Sequence, residues 1–198
     1  MKPIREMTEA ELAALVQQHL AGRGIRVVLS GGMCVTIYAR GDYVSGDLDL
    51  VLETYARPQA VRAALAELGF EPYGRVFRHP DSALWLDIRS APLAVGSEPV
   101  REIRELRFST GVLRLLSPTD CVKDRLAAYY YHNDRQCLEQ ACLVVASSEV
   151  DLAEVERWST HEGQAARFME LRDRFRQAEH KRQEGTSRND AAAGQARI

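Results

Sequence analysis

The sequence predicts an α/β fold in which a small mixed sheet is flanked by helices and is followed by a helical C-terminal portion. Strand-like and helix-like patterns alternate up to residue 116, and only helix-like patterns follow. The chain has 198 residues, of which 45% are hydrophobic and 27% charged, which suits one domain with an appendage. We therefore expect a core over 1–116, a helical subdomain over 117–183 and a disordered, polar tail over 184–198.

The first half of the chain alternates strands and helices. Thr8 and Glu11 have the spacing of a capping box, which predicts a helix that ends near Gly22. A β-branched run at 25–30 predicts a strand that leads through two glycines into a helix. The remaining elements of this half are a strand over 47–52 and a helix that starts at Pro58 and ends at Gly69.

Further strands and a series of helices make up the rest of the chain. Strands are predicted over 70–77 and 83–88, and a hairpin over 105–108 and 112–116. Ser117 is a good N-cap and Pro118 suits the first helical position. Helices are then expected over 118–132, 134–147, 151–159 and 161–182.

Charge and cysteine content exclude several classes of protein. The net charge of −2 provides no global attraction to nucleic acid or anionic lipid. The four cysteines contain no CxxC pair, so buried free thiols are expected rather than disulfides or zinc. No segment has the pattern of a signal peptide or a membrane span. The protein is therefore expected to be cytosolic.

Two acidic residues open the strand at 47–52. Because side chains alternate between the faces of a strand, Asp47 and Asp49 share one face with Cα atoms about 6–7 Å apart. Carboxylates so placed favour Mg²⁺ or Mn²⁺, although an exposed strand edge has the same pattern. Asp87 lies between Leu86 and Ile88 in an apolar strand, where an acid needs a partner or a metal. We expect it to be a third ligand.

Gly31 and Gly32 stand between a predicted strand and a predicted helix. Two small residues at this point allow a phosphate to approach the backbone N–H groups and the positive end of the helix dipole. A tight turn without a ligand explains the same pair. Ser45 could add a hydroxyl donor to the same phosphates.

These motifs together resemble the signature of the polymerase β-like nucleotidyltransferase superfamily. That signature is a hydrophobic residue before a glycine pair, then an acid–hydrophobic–acid motif, then a later aspartate between hydrophobic residues. Here it is matched by 29–32, 45–50 and 84–88. The segments 115–127 and 133–135 also look like the helices that follow the core in small bacterial members, including those of toxin–antitoxin and phage-defence loci. The resemblance covers residues 25–145.

The resemblance implies a role for each matching residue. Asp47 and Asp49 would bind the metals, and Asp87 would be the third ligand and help to deprotonate the acceptor hydroxyl. The phosphates of the nucleotide would be held by Ser30, Gly31, Gly32, Ser45 and, from the helical part, Lys123.

The implied reaction is metal-dependent transfer of a nucleoside monophosphate from an NTP to a hydroxyl or phosphate acceptor, with release of pyrophosphate. The cofactor would be Mg²⁺ or Mn²⁺, and the acceptor could be RNA, a protein or a small molecule. Two alternatives use the same acids. One is a catalytically silent module that binds nucleotide or protein, as an antitoxin-like or regulatory partner would. The other is a Mg²⁺-dependent hydrolase.

Two aromatic features are interpreted as packing. The run 129–131 consists of three tyrosines whose rings would point in different directions on a helix, so core and surface packing is expected rather than base stacking. Trp85 is expected to pack against a helix.

Overall fold

A computed structural model describes the backbone of residues 2–195 and the side chains of residues 2–184. A short 3₁₀ turn, Ile4–Glu6, precedes the first helix. The helices are α1 Glu9–Ala21, α2 Gly31–Tyr38, α3 Pro58–Ala66, α4 Pro118–His132, α5 Arg135–Ser147, α6 Leu152–His161 and α7 Ala165–Gln195. The strands are β1 Val27–Ser30, β2 Asp47–Leu52, β3 Glu71–Tyr73, β4 Val76–Arg78, β5 Trp85–Arg89, β6 Ala94–Val95, β7 Glu98–Pro99, β8 Ile103–Phe108 and β9 Gly111–Leu116. The predicted mixed α/β architecture is confirmed.

Seven strands form one mixed sheet in the order β3-β4-β5-β2-β1-β9-β8, and β6 and β7 form a separate small hairpin. At the centre, β1 runs antiparallel to β2 and parallel to β9, while β2 runs parallel to β5. Each parallel pair is joined through a helix-containing connection, as parallel pairing requires.

The two faces of the sheet have different coverings. Leu48, Leu50 and Leu52 of β2 are buried on the face that carries α3. Helix α1 lies on this same face, since the His19 ring contacts the Ala64 carbonyl of α3 at 2.8 Å. The opposite face carries α2 and, beyond it, α4 and α5. Asp49 of β2 lies on this second face.

The helical portion begins where the sequence places it. The Ser117 hydroxyl accepts a hydrogen bond from the Asp120 N–H and caps α4. The α6 residue Trp158 is fully buried and donates from Nε1 to the carbonyl of Val95 at 3.2 Å, which ties α6 to the small hairpin. Buried apolar side chains of the sheet and of α4–α7 belong to one continuous cluster. The boundary predicted between residues 116 and 117 therefore divides two segments of the chain that share one hydrophobic core.

The sheet region differs from the sequence prediction in three places. The single strand expected over 70–77 is two strands, β3 and β4, because Gly74 takes a left-handed conformation (φ +62°) and turns the chain back. Strands β6 and β7 are absent from the sequence prediction, because each has only two residues and so shows no alternation of apolar and polar side chains. The sequence predicts that Trp85 packs against a helix, whereas its ring contacts the Tyr73 ring of β3, two strands away in the sheet, and the Arg78 guanidinium of β4.

The C-terminal helix is longer than predicted. Helix α7 continues to Gln195, through most of the segment expected to be a disordered tail. The segment lacks proline and contains three successive alanines at 191–193, so a helix that has already formed can continue through it despite the glycines at 185 and 194. Residues 196–198 lie outside the described part of the chain.

Candidate functional site

The pairing of β2 with β5 places the predicted acids together. Asp49 and Asp87 are Cα partners in this parallel pair, so their side chains are neighbours on the same face of the sheet. Asp47, two residues before Asp49, shares that face and is the partner of Trp85. Asp47 is exposed, whereas Asp49 and Asp87 are partly buried, with side chains 17% and 30% exposed.

Gly31 packs directly against Asp49. A Cβ atom on Gly31 would collide with the Asp49 carboxylate, and the residue also has a positive φ of +70°. Both conditions exclude other residues without local rearrangement. The first glycine of the pair therefore lets the end of β1 and the start of α2 approach the acidic face.

Gly32 faces the loop that leads into β2. A Cβ there would lie 3.0 Å from the Ser45 hydroxyl and 3.2 Å from the Tyr43 hydroxyl. The buried Ser45 hydroxyl donates to the Asp47 carbonyl (3.2 Å) and accepts from the Asp47 N–H (3.3 Å). In this structure Ser45 thus stabilises the start of β2 beside the glycine pair.

Helix α2 starts without a side-chain cap. Ser30 is at the N-cap position, but its hydroxyl makes no capping bond and is 3.5 Å from the Asp49 carbonyl. The first N–H groups of an α-helix have no acceptor within the helix. The start of α2, immediately beside Asp49, therefore offers N–H donors and a positive dipole end to an anion.

Arg89 is a site residue that the sequence reasoning missed. Its guanidinium donates to Asp49 Oδ1 from Nη2 at 3.0 Å and from Nε at 3.3 Å. Its Nε also lies 3.5 Å from Asp87 Oδ2. The signal was present in the sequence, because Arg89 follows Asp87 by two residues and must share its face.

The charges in this group are coupled. Burial raises the pKa of the Asp49 carboxyl, Arg89 opposes the rise, and the adjacent Asp87 adds to it. Partial burial acts to lower the pKa of Arg89, but the two carboxylates outweigh it and the pKa is raised. Arg89 therefore stays charged and supplies the positive charge that two adjacent acids need.

Helix α4 adds a second ion pair near this face. Arg125 donates to Asp124 Oδ2 at 2.5 Å and to Gln140 Oε1 at 3.2 Å, and its side chain is only 14% exposed. The charge of Arg125 acts to lower the pKa of Asp49, and Asp124 acts to raise that of Arg89. The helical part thus contributes to the electrostatics of the carboxylates.

The structure places Lys123 elsewhere. Side chains two residues apart on an α-helix point in directions about 200° apart, so Lys123 and Arg125 lie on opposite sides of α4. Lys123 is buried, and its Nζ lies 2.7 Å from Glu154 Oε1 of α6 and 3.3 Å from Asp120 Oδ1. It lines a cavity of about 800 Å³ to which none of the three aspartates contributes. A role for Lys123 with the triphosphate stays a prediction.

The three carboxylates suit a divalent cation by chemistry but are not gathered around one point. Within residues 2–184, no three His, Cys, Asp or Glu side chains are close enough to hold a metal ion. Carboxylate oxygens are the ligands that Mg²⁺ and Mn²⁺ prefer, and a guanidinium already neutralises two of them. By their chemistry these carboxylates suit a metal, but in this structure Asp49 and Asp87 are paired with Arg89.

Solved structures with the same fold include two nucleotidyltransferase-like proteins. An antigenic nucleotidyltransferase-like protein from Paracoccidioides brasiliensis has a TM-score of 0.53 and 16% identity, over 69% of this chain and 75% of its own. ANT(2")-Ia, in complex with adenylyl-2"-tobramycin, has a TM-score of 0.52 and 16% identity, over 82% of this chain and 99% of its own. The sequence matches no protein-family model and no curated protein. The chain has a nucleotidyltransferase-like fold, as the resemblance of its motifs implies.

In the described part of the chain, no helix is both long and apolar enough to span a membrane. The cysteines are free: Cys34, Cys121 and Cys137 are buried and Cys142 is partly buried. The finding on the cysteines agrees with the expectation of free thiols.

Replacement of Gly31 tests the contact with Asp49. Gly31→Ala adds a methyl group against that carboxylate at a positive φ, so we expect a loss of roughly 2–4 kcal/mol in the free energy of unfolding. Gly24→Ala is the matched control, because Gly24 also has a positive φ (+74°) but open space around it. Urea unfolding of both variants measures the difference. Equal losses in the two variants would contradict the contact.

Acid should weaken the contact between α4 and α6. A hydrogen bond from Arg157, assisted by Lys123, lowers the pKa of Glu154 to about 2. The stabilisation by ionised Glu154 is therefore complete above the usual glutamate pKa of about 4.5 and is lost as the pH falls towards 2. The difference in unfolding free energy between wild type and Glu154→Gln should shrink over that range. Exposed Glu149→Gln should show no such trend.

Proposed function

We propose that this chain is a metal-dependent nucleotidyltransferase that moves a nucleoside monophosphate from an NTP to a hydroxyl or phosphate acceptor. One observation carries the proposal: the β2–β5 register sets Asp49 beside Asp87, and Gly31 brings the uncapped start of α2 against the same carboxylate. An anion site and a cation site are thus adjacent. A nucleoside triphosphate bound with a divalent metal has this combination of charges.

Each residue then has a part in the reaction. The N–H groups at Gly31 and Gly32 bind the β- and γ-phosphates, with Ser30 and Ser45 beside them. Asp47, Asp49 and Asp87 hold Mg²⁺ or Mn²⁺, which when bound neutralises charge on the phosphates and orients the attacking oxygen. Asp87 accepts the proton of the acceptor hydroxyl.

The acceptor is open among three classes. ANT(2")-Ia, which shares the fold, was solved with an adenylylated aminoglycoside, and this favours a small hydroxylated molecule as one class. RNA and protein hydroxyls are the others. The reaction consumes NTP, so the cytoplasm is the proposed compartment, and the resemblance to small bacterial members supports a proposed role in a toxin–antitoxin or phage-defence setting.

Loss of a metal ligand tests the proposed reaction. Asp49→Asn should lower the transfer of label from α-labelled NTP by at least about a hundredfold, because one metal ligand is removed while the shape is kept. Acceptors in the assay are bulk tRNA, tobramycin and the protein itself, with Mg²⁺ or Mn²⁺ present. Asp81→Asn, an exposed aspartate outside the site, is the control.

Two results would contradict the proposal. Transfer by Asp49→Asn at the wild-type rate would exclude Asp49 as a ligand. Release of free nucleotide with no labelled acceptor would indicate the Mg²⁺-dependent hydrolase instead.

The pairing of Arg89 with both carboxylates favours a second candidate, a catalytically silent nucleotide-binding or protein-binding module. A guanidinium paired with both Asp49 and Asp87 offsets one of their two negative charges and competes with a metal for the same oxygens. In the enzyme, Arg89 must leave its partners when the metal binds. In the silent module it stays.

Replacement of Arg89 separates the two candidates. Arg89→Ala should bind Mn²⁺ about tenfold or more tightly than wild type, because the competing cation and its charge-assisted hydrogen bonds are absent. Calorimetric titration with Mn²⁺ measures the affinity, and Arg75→Ala, an exposed arginine on the β3–β4 turn, is the control. A metal bound only by Arg89→Ala supports the silent module, whereas a metal bound also by wild type supports the enzyme.

A further inference from the structure

A group of aromatic and cationic side chains lies beside the acids on the same face of the sheet. Trp85 is the Cα partner of Asp47 and shares its face with Asp87. The pairing of Phe77 with Leu86 sets Arg78 of β4 opposite Trp85. We call Tyr73, Arg78 and Trp85 the ring cluster. The proposed function does not use it.

The ring cluster has the geometry of a stacking surface. The Arg78 Cζ lies 4.5 Å from the Trp85 ring centroid and 5.0 Å from that of Tyr73. The two rings are 5.4 Å apart and tilted by 57°. Tyr73, on the edge strand, is 58% exposed, and Trp85 is partly buried. A hydrophobic ring so exposed on an edge strand contributes little to the core.

The position of the ring cluster relates it to the acceptor, and this step rests on the proposed function. Across the sheet from β1 to β4, the order is the start of α2, then the acids on β2 and β5, then the ring cluster. Phosphoryl transfer needs the attacking oxygen and the leaving pyrophosphate on opposite sides of the α-phosphorus. Because the pyrophosphate would lie at the start of α2, the acceptor hydroxyl approaches the α-phosphorus from the opposite side, where the ring cluster lies.

We propose that the ring cluster binds the planar base of a nucleotide unit in the acceptor, either a free nucleotide or the 3′ end of an RNA strand. A base can stack on the ring of Tyr73 or on the flat guanidinium, as in single-strand nucleic-acid sites. The positive charge of Arg78 attracts the phosphate of the same nucleotide. A polycationic acceptor would instead compete with Arg78 for the ring faces.

The group transfer balances in the ordinary way. An acceptor hydroxyl oxygen bonds to the α-phosphorus, the bond from that phosphorus to the bridging oxygen of pyrophosphate breaks, and the hydroxyl proton passes to Asp87. Asp47 lies about 4.8 Å from Trp85 on the neighbouring strand and Asp87 about 6–7 Å along the same strand, so a base stacked on the ring cluster holds its ribose within reach of both acids.

Tryptophan fluorescence tests the proposal without turnover. Among the residues of this chain, only Trp85 and Trp158 are tryptophans, and Trp158 is fully buried. The probes are AMP, a tetra-adenylate RNA and tobramycin, each titrated in EDTA so that no metal-bound NTP site forms. AMP and the RNA should quench Trp85. Tyr73→Ala and Arg78→Ala should each weaken that binding about tenfold.

The control and the contrary outcomes are specific to this surface. Tyr55→Ala removes a tyrosine that is 79% exposed on the α3 side, and it should leave quenching unchanged. Binding unaffected by both Tyr73→Ala and Arg78→Ala, or quenching by tobramycin alone, would overturn the proposal. A preference for the RNA over AMP identifies a strand end, and the reverse a free nucleotide.

A kinetic measurement separates this proposal from the proposed function. In the transfer assay, Tyr73→Ala should raise the KM for a nucleotide acceptor about tenfold and leave the KM for NTP unchanged. A rise in the KM for NTP alone would place the ring cluster at the wrong substrate. If AMP or the RNA quenches Trp85 but no transfer to any acceptor is detected, the ring cluster is supported as a base-binding site and the transferase proposal is contradicted.

Discussion

The parallel pairing of β2 with β5 is the constraint on which the site depends. It makes Asp49 and Asp87 adjacent and partly buried, an arrangement that is costly unless a cation lies between the two carboxylates. In this structure the cation is the guanidinium of Arg89. The start of α2 can approach the pair only because residue 31 has no side chain. The β2–β5 register thus requires a glycine at position 31 and a positive side chain, here Arg89, beside the two carboxylates.

Most of the site's framework was predictable from the sequence. Residues two apart on a strand share a face, and this rule alone places Asp47 with Asp49 and Asp87 with Arg89. The capping residues Thr8 and Ser117 act as their local patterns predict. These features depend on neighbours in the chain, and local periodicity is what a sequence expresses most directly.

Features that depend on distant pairing were not predictable in the same way. The adjacency of Asp49 and Asp87 requires a register between two strands, and no local pattern sets it. The family resemblance implies a phosphate role for Lys123, which stays a prediction, while its contact with Glu154 of α6 depends on how α4 packs against α6. The environment of Trp85 depends on the β3–β4 hairpin, whose turn at Gly74 lies in a segment that the sequence predicts as one continuous strand. In each case a tertiary contact decided the outcome.

The strand order also has a consequence for how the chain folds. The acidic face is assembled from β1, β2 and β5, which all lie within residues 27–89, so less chain is enclosed by their pairing than by the pairing of β1 with β9. Strand β9 joins beside β1 through the pairing of Leu29 with Leu115, and closing this much longer loop is slower. Loop-closure entropy therefore favours formation of the charged pair before β9 covers the other side of β1.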